Sequence, residues 1–265
     1  MQRLLKRILT TTLVTGMLWG LFVPLVAAEV ADHVVISEIQ ADSIEETGGI
    51  DDDWIELYNP TSQSIDLAVG NYRIEKTQTV ANPGIVMVIG NTDDGSYPGG
   101  TTIPAYGFYL IVRDDASQTL RDKADAISTR TEFTWTGTAY TLYLGTGAIG
   151  SDTDPDIIDK VGFGSGATYY ETSPAPSIPE GHSLQRNYSA SGTTSQSFGP
   201  SWDTDNNSAD FFIQTSPNPQ NSSEHGPIPP FPEFSTITLF SLGLLALCGY
   251  LWLRKNRYSK SNRAC

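Results

Sequence analysis

The 265-residue chain carries 30 acidic against 16 basic residues, and half of the basic ones lie near its two ends. Arg3, Lys6 and Arg7 precede the first apolar run, and Arg254, Lys255, Arg257, Lys260 and Arg263 follow the last, so the middle holds thirty acidic against eight basic residues, a net charge of −22. So negative a body repels phosphate backbones, which excludes nucleic acid as a partner. Cys248 and Cys265 lie outside it, which excludes a disulfide framework or thiolate chemistry there.

In chain order, a basic start is followed by an apolar run from Ile8 to Val26 and by Val26-Ala27-Ala28-Glu29. This is the pattern of a secretory signal peptide over residues 1–28 with cleavage after Ala28; an uncleaved signal anchor is the alternative. Strand-like runs with turn residues between them follow at 33–39, 54–58, 64–67, 72–75, 85–89, 107–112, 140–144, 157–163, 183–186 and 210–214. In the second, Ile55 and Leu57 share one face while Trp54, Glu56 and Tyr58 share the other. The charged, alanine-containing stretch 114–128 reads as a short helix or a long connection. Nine or ten short strands with no long helix between them predict an all-β, antiparallel sandwich over residues 29–216.

The segment 217–234 is proline-rich and predicts a linker. Ser235 to Leu253 is an uncharged apolar run of 19 residues. As a helix it spans about 28 Å, the thickness of a bilayer's hydrocarbon. The basic tail 254–265 places that end in the cytoplasm and the body on the extracytoplasmic face of the cell envelope.

Two resemblances follow from these pieces. Val35-Ile36-Ser37-Glu38-Ile39, an acidic loop and Trp54-Ile55-Glu56-Leu57-Tyr58-Asn59-Pro60-Thr61 resemble the opening of the lamin-tail domain. Ile103 to Ile111, Ile158 to Gly164, Gly181 to Arg186 and Ala209 to Asn221 resemble its later segments in order. The resemblance covers residues 33–221 and implies an immunoglobulin-like β-sandwich, a fold of nuclear lamins and of many secreted prokaryotic proteins. Pro232-Glu233-Phe234, followed by the apolar span and the basic cluster, is similar to C-terminal sorting signals of the PEP-CTERM and PEF-CTERM type. That similarity implies a sortase-like protease as a processing partner; a permanent single-pass membrane anchor is the alternative.

Candidate chemistry is confined to oxygen ligands. Asp51, Asp52 and Asp53 precede a strand, and adjacent carboxylates in a loop suit Ca2+, a hard cation. Asp203, Asp205 and Asn207, with Asp210 beyond, have the alternate spacing of a calcium loop but lack its central glycine and terminal glutamate. A third group is Asp152, Asp154, Asp156 and Asp159. Solvated turns are the alternative for all three. His33, His182 and His225 stand apart in sequence, with no catalytic pattern around them. Glu38 and Glu56 can pair across adjacent strands, as glycosidase carboxylates do. Trp54, Trp135, Tyr140, Tyr169, Tyr170 and Trp202 are candidates for a binding surface or for the core. The reading is therefore a non-enzymatic surface module for adhesion, envelope or matrix interaction. A calcium-dependent binding domain for glycans or proteins is one alternative, and an accessory protein of an extracellular hydrolase system is another.

Overall fold

The computed structural model describes residues 30–41, 52–78, 83–189 and 199–226. The signal segment with Ala28, Asp51, the Pro232-Glu233-Phe234 motif and the apolar run 235–253 lie outside the described residues. Among the described residues, no helix is long and apolar enough to cross a membrane.

The first strand, β1 (Val35–Gln40), pairs antiparallel with β2 (Trp54–Tyr58). Their register slips between Ile36 and Glu38, which leaves Ser37 as the extra residue of a β-bulge. The slip is dictated by the sequence. Val34 and Ile36 must enter the core, and so must Ile39 and Ala41, but the two pairs are out of phase for a regular strand. One bulged residue restores the phase and turns Glu38 to the outer face, opposite Glu56. The Ser37 hydroxyl closes the bulge on the Glu56 carbonyl at 3.1 Å and on its carboxylate at 2.6 Å.

The remaining elements are β3 (Ile65–Asp66), β4 (Arg73–Thr77), β5 (Gly84–Val88), β6 (Gly95–Ser96), β7 (Thr102–Ile103), β8 (Phe108–Arg113), α1 (Gln118–Lys123), β9 (Ala126–Ser128), β10 (Tyr140–Gly145), β11 (Ile157–Phe163), β12 (Ser183–Arg186), α2 (Asn207–Asp210) and β13 (Phe211–Gln214). A seven-stranded sheet has the order β13-β12-β1-β2-β8-β9-β6; a four-stranded sheet has the order β11-β10-β4-β5; β3 and β7 form a small third ribbon. The inner faces meet in one core. Ile36, Ile39, Ile55, Leu57, Tyr109 and Ile111 from the larger sheet pack against Ile74, Met87, Leu142, Leu144, Val161 and Phe163 from the smaller.

The expected all-β sandwich is present, and among the described residues one pair of named strands departs from antiparallel pairing. β9 lies parallel to β8, because the 114–125 connection carries α1 across the sheet and returns the chain in the same direction. Ser117 caps α1, and the Asp52 carboxylate accepts from both the Ser117 N–H (2.6 Å) and its hydroxyl (2.9 Å). The helix covers Trp54, Leu110 and Val112 on the outer face.

The folded body continues past the expected boundary at residue 216. Gln220 and Ser222 donate backbone N–H bonds into the sheet, His225 bridges Gly107, and the Gly226 N–H donates to the Tyr106 carbonyl at 2.7 Å. Residues 217–226, read from sequence as the start of a linker, therefore lie against the sandwich.

Candidate functional site

The acidic segment 203–210 leads into α2 and brings part of its carboxylate set together. Asp210, fully buried, closes the turn by accepting from the Thr204 N–H (3.0 Å), the Thr204 hydroxyl (2.7 Å) and the Asn206 N–H (3.1 Å). Asn207 is also buried and turned inward. Its carbonyl oxygen accepts from the Gly162 and Glu171 N–H groups, and its amide donates to the Lys160 carbonyl and the Glu171 carboxylate, all within 2.8–3.1 Å. The side chain thus substitutes for a neighbouring strand on the outer edge of β11, beside the short bridge between Phe163 and Ala175. Of the four candidate ligands here, Asn207 and Asp210 serve the fold instead.

Asp203 and Asp205 do converge, with a partner the sequence reading missed. Glu171 offers one carboxylate oxygen, and the three ligand atoms lie within 4.8 Å of one another. Burial first, then the negative charges of Asp159, Asp203 and Asp205, push the Glu171 carboxyl up to about 8. Three carboxylate oxygens supply half or fewer of the six to eight ligands Ca2+ takes, so backbone carbonyls and water would complete the shell. Arg186 stands 3.4 Å from Asp203 and already meets part of the local negative charge.

Arg186 is the centre of a larger network. It is fully buried on β12, and its guanidinium donates to both Asp159 oxygens at 2.7 and 2.8 Å, to the Ile36 carbonyl at 2.9 Å and to the Trp202 carbonyl at 3.1 Å. The Ile36 N–H returns a 2.6 Å bond to Asp159. Burial opposes the charge on Arg186, but Asp159 and then Asp203 outweigh it and hold its pKa above the usual arginine value. Asp159 sits on β11 of the smaller sheet, so this ion pair ties the two sheets together.

The other candidates are dispersed. Asp52 holds the α1 cap, and buried Asp53 accepts from the Trp135 N–H at 3.3 Å; each carboxylate thereby serves a neighbouring segment. Asp152 meets Tyr143 and Lys160, while Asp154 accepts from the Gly150 and Asp156 N–H groups in its own turn. Trp54 and Trp135 are core residues rather than a binding surface, at 1% and 3% exposure. Trp54 donates to the Gln40 side chain and Trp135 to the Gln40 carbonyl. Tyr140, Tyr169 and Trp202 are half-buried, and Tyr170 is the exposed member of the set. His182 contacts the Glu180 carbonyl, and His33 lies between Asp32 and Asp203.

Glu38 and Glu56 face each other across β1 and β2, but beneath the chain's own C-terminal segment. Both are 1% exposed. Glu38 accepts from the Ser183 hydroxyl and the Asn218 N–H. Glu56 accepts from the Ser37 hydroxyl and, at 2.7 Å, from the Gln220 N–H. Next along the sheet, Asp125 accepts from the Leu110 N–H, the Ser222 N–H (2.9 Å) and the Ser222 hydroxyl (2.5 Å). Burial raises all three carboxyls, Glu38 to about 7 and Glu56 well above the usual range, the latter also through the charge of Glu38.

A family model described as Lamin Tail Domain matches residues 27–164. Among curated proteins and solved structures nothing matches.

Proposed function

Because the chain belongs to the lamin tail domain family, whose immunoglobulin-like sandwich is typically a non-catalytic interaction module, we propose that it works as an extracytoplasmic surface module tethered by its C-terminal segment. The observation that carries the non-catalytic reading is how the buried acids are used. Glu38, Glu56, Asp159 and Asp210 each direct their carboxylates to N–H, hydroxyl or guanidinium groups of their own chain. Carboxylates so engaged hold segments in place and are covered by them, whereas a glycosidase pair needs an open cleft between its carboxyls. Export and anchoring are supported by the basic-apolar-small N-terminus and by the 19-residue apolar run with its basic tail. The strongly acidic middle favours a cationic or neutral partner, such as a surface protein or a glycan, over nucleic acid.

Mass spectrometry of both termini of the native protein tests this reading. A mature N-terminus at Glu29 in the envelope fraction supports it. An intact tail then means a membrane anchor, and a cut near Pro232-Glu233-Phe234 means sortase-like processing. Recovery from the cytosol with Met1 and the whole tail retained refutes it.

The convergence of Glu171, Asp203 and Asp205 favours one variant, a calcium-dependent module. Thermal unfolding across a calcium titration separates the two, since a ligand of the native state raises its stability. A rise in Tm that Asp203→Asn and Asp205→Asn abolish supports the calcium variant; an unchanged Tm at millimolar calcium rejects it.

A further inference from the structure

The C-terminal segment crosses the outer face of the larger sheet in a regular way. Residues 218, 220 and 222 each donate a backbone N–H downward, to Glu38 on β1, Glu56 on β2 and Asp125 just before β9. Asn218 and Gln220 are alternate residues and point the same way, and the turn at 221–224 brings the Ser222 N–H onto the third carboxylate. Beyond them, Asn221 donates to the Lys123 carbonyl, and Glu224 pairs with Lys123 at 3.3 Å. The strap leads directly to the chain that ends in the apolar run.

We propose that residues 216–226 are a pH-released strap: ionisation of the facing Glu38–Glu56 pair lifts the segment off the sheet and lengthens the tether to the C-terminal apolar run. The lifting rests on two facing buried carboxyls whose burial outweighs the strap amides of Asn218 and Gln220, which favour the ionised form; the tether's role rests on the reading of the chain as membrane-anchored.

The charges around the pair favour a retained proton in the docked state. Facing it are Asp125 before β9, Glu224 in the strap and Tyr188 after β12, whose phenol burial and the two glutamates push up to about 12. Lys123, at the end of α1, is engaged by Glu224. Ser37, Ser183 and Gln185 are neutral neighbours. With no cation against them, two carboxylates side by side both ionise only when water reaches them. Docked, Glu38 keeps its proton up to about pH 7; lifted, it returns to an ordinary carboxyl near 4.5. The docked form thus holds the extra proton. Docking is tightest in acid and weakens by up to about tenfold per pH unit as pH rises through that interval. Glu56, displaced further, carries the effect upward. Release frees eleven residues, about 35 Å of extended chain.

Hydrogen exchange of the full chain in detergent micelles tests this, with intrinsic rates corrected for pH. Between about pH 5.5 and about pH 8.5, protection in 216–226 should fall at least tenfold while that of β2 holds, and Glu56→Gln should flatten the dependence. Gln220→Pro removes the strap donor to Glu56 while leaving both carboxyl side chains in the sequence, and should lower protection at 218 and 222 throughout the range. Constant protection in the wild-type strap, an equal fall in β2, an unaltered slope in Glu56→Gln, or full protection in Gln220→Pro each overturns the proposal. The wild-type profile and Gln220→Pro decide it even if Glu56→Gln does not fold.

Discussion

Arg186→Ala is expected to be among the most damaging single changes in the body. The side chain is fully buried, pairs with Asp159 through both oxygens, and also serves the carbonyls of Ile36 and Trp202. Its removal leaves a buried carboxylate supported by the Ile36 N–H, two carbonyls short of a donor, and a void against the Phe211 ring, over which the guanidinium sits at 4.6 Å. Breaking a buried pair from one side costs about 3–5 kcal/mol. For a body of about two hundred residues, each kcal/mol moves Tm by about 2–4 °C, so the fall is about 6–20 °C. Thermal unfolding followed by far-ultraviolet circular dichroism reads this directly. The double change Asp159→Leu with Arg186→Met should regain part of the loss, because it removes the buried unpaired carboxylate, while the Ile36 N–H and the Ile36 and Trp202 carbonyls stay without their partners. A loss below about 1 kcal/mol for Arg186→Ala, or a double variant as unstable as the two single changes added together, refutes the assignment of Arg186 and Asp159 as the tie between sheets.

Trp54→Ala, by emptying the space under α1, should cost about 3–5 kcal/mol in chemical denaturation, although Trp54 lies on the outer face of the sheet. Asn207→Ala should cost about 2–4 kcal/mol and raise exchange at the Gly162 amide, since it strips donor and acceptor partners from the β11 edge. Glu171 is protonated in the folded state up to about pH 8 against 4.5 for a free carboxyl, so it favours folding below that interval and the contribution is lost as pH rises through it. Glu171→Gln should therefore flatten the decline in Tm across that range, read from unfolding curves at several pH values. A chain ending at residue 164, where the family match stops, lacks β12, β13 and the strap and should fail to give a cooperative transition; one running through Gly226 should give one.

Strand placement was legible because the larger strands follow burial with period two or a short apolar run, and their ends are marked by glycine, proline, asparagine or aspartate. β6, β7 and β9 have two or three residues each, too few to show any period. The parallel step between β8 and β9 was hidden for a related reason. α1 has six residues and one buried apolar side chain, so the stretch reads as a short helix or a long connection, and the helix is what forms, but nothing local shows that it returns the chain parallel to β8. Asp203 and Asp205 stood out by spacing, but Glu171 is some thirty residues away and joins them only through tertiary packing. Asn207 had the right residue type for a ligand; its role at a strand edge depends on β11, which no local pattern reveals.

The two sheets are closed on the outside by the same device, and this determines where a partner can bind. On the larger sheet, the amides of 218, 220 and 222 come down on Glu38, Glu56 and Asp125. On the smaller sheet, the loop after β10 returns across the face, and the Ile149 N–H donates to buried Glu75, which Arg73 holds at 2.6 Å. In each case a carboxylate outside the core is buried by an arm of chain that brings its own donors, which satisfies groups that a bare sheet face would leave to water. Among the described residues, the exposed acids Asp32, Asp66, Asp93, Asp114, Asp115, Asp156, Glu180 and Asp205 are in turns, loops or at strand ends, and exposed Asp122 is on α1. A partner drawn by the charge of this body therefore meets loops, edges and α1 first, and reaches a sheet face only after an arm has moved.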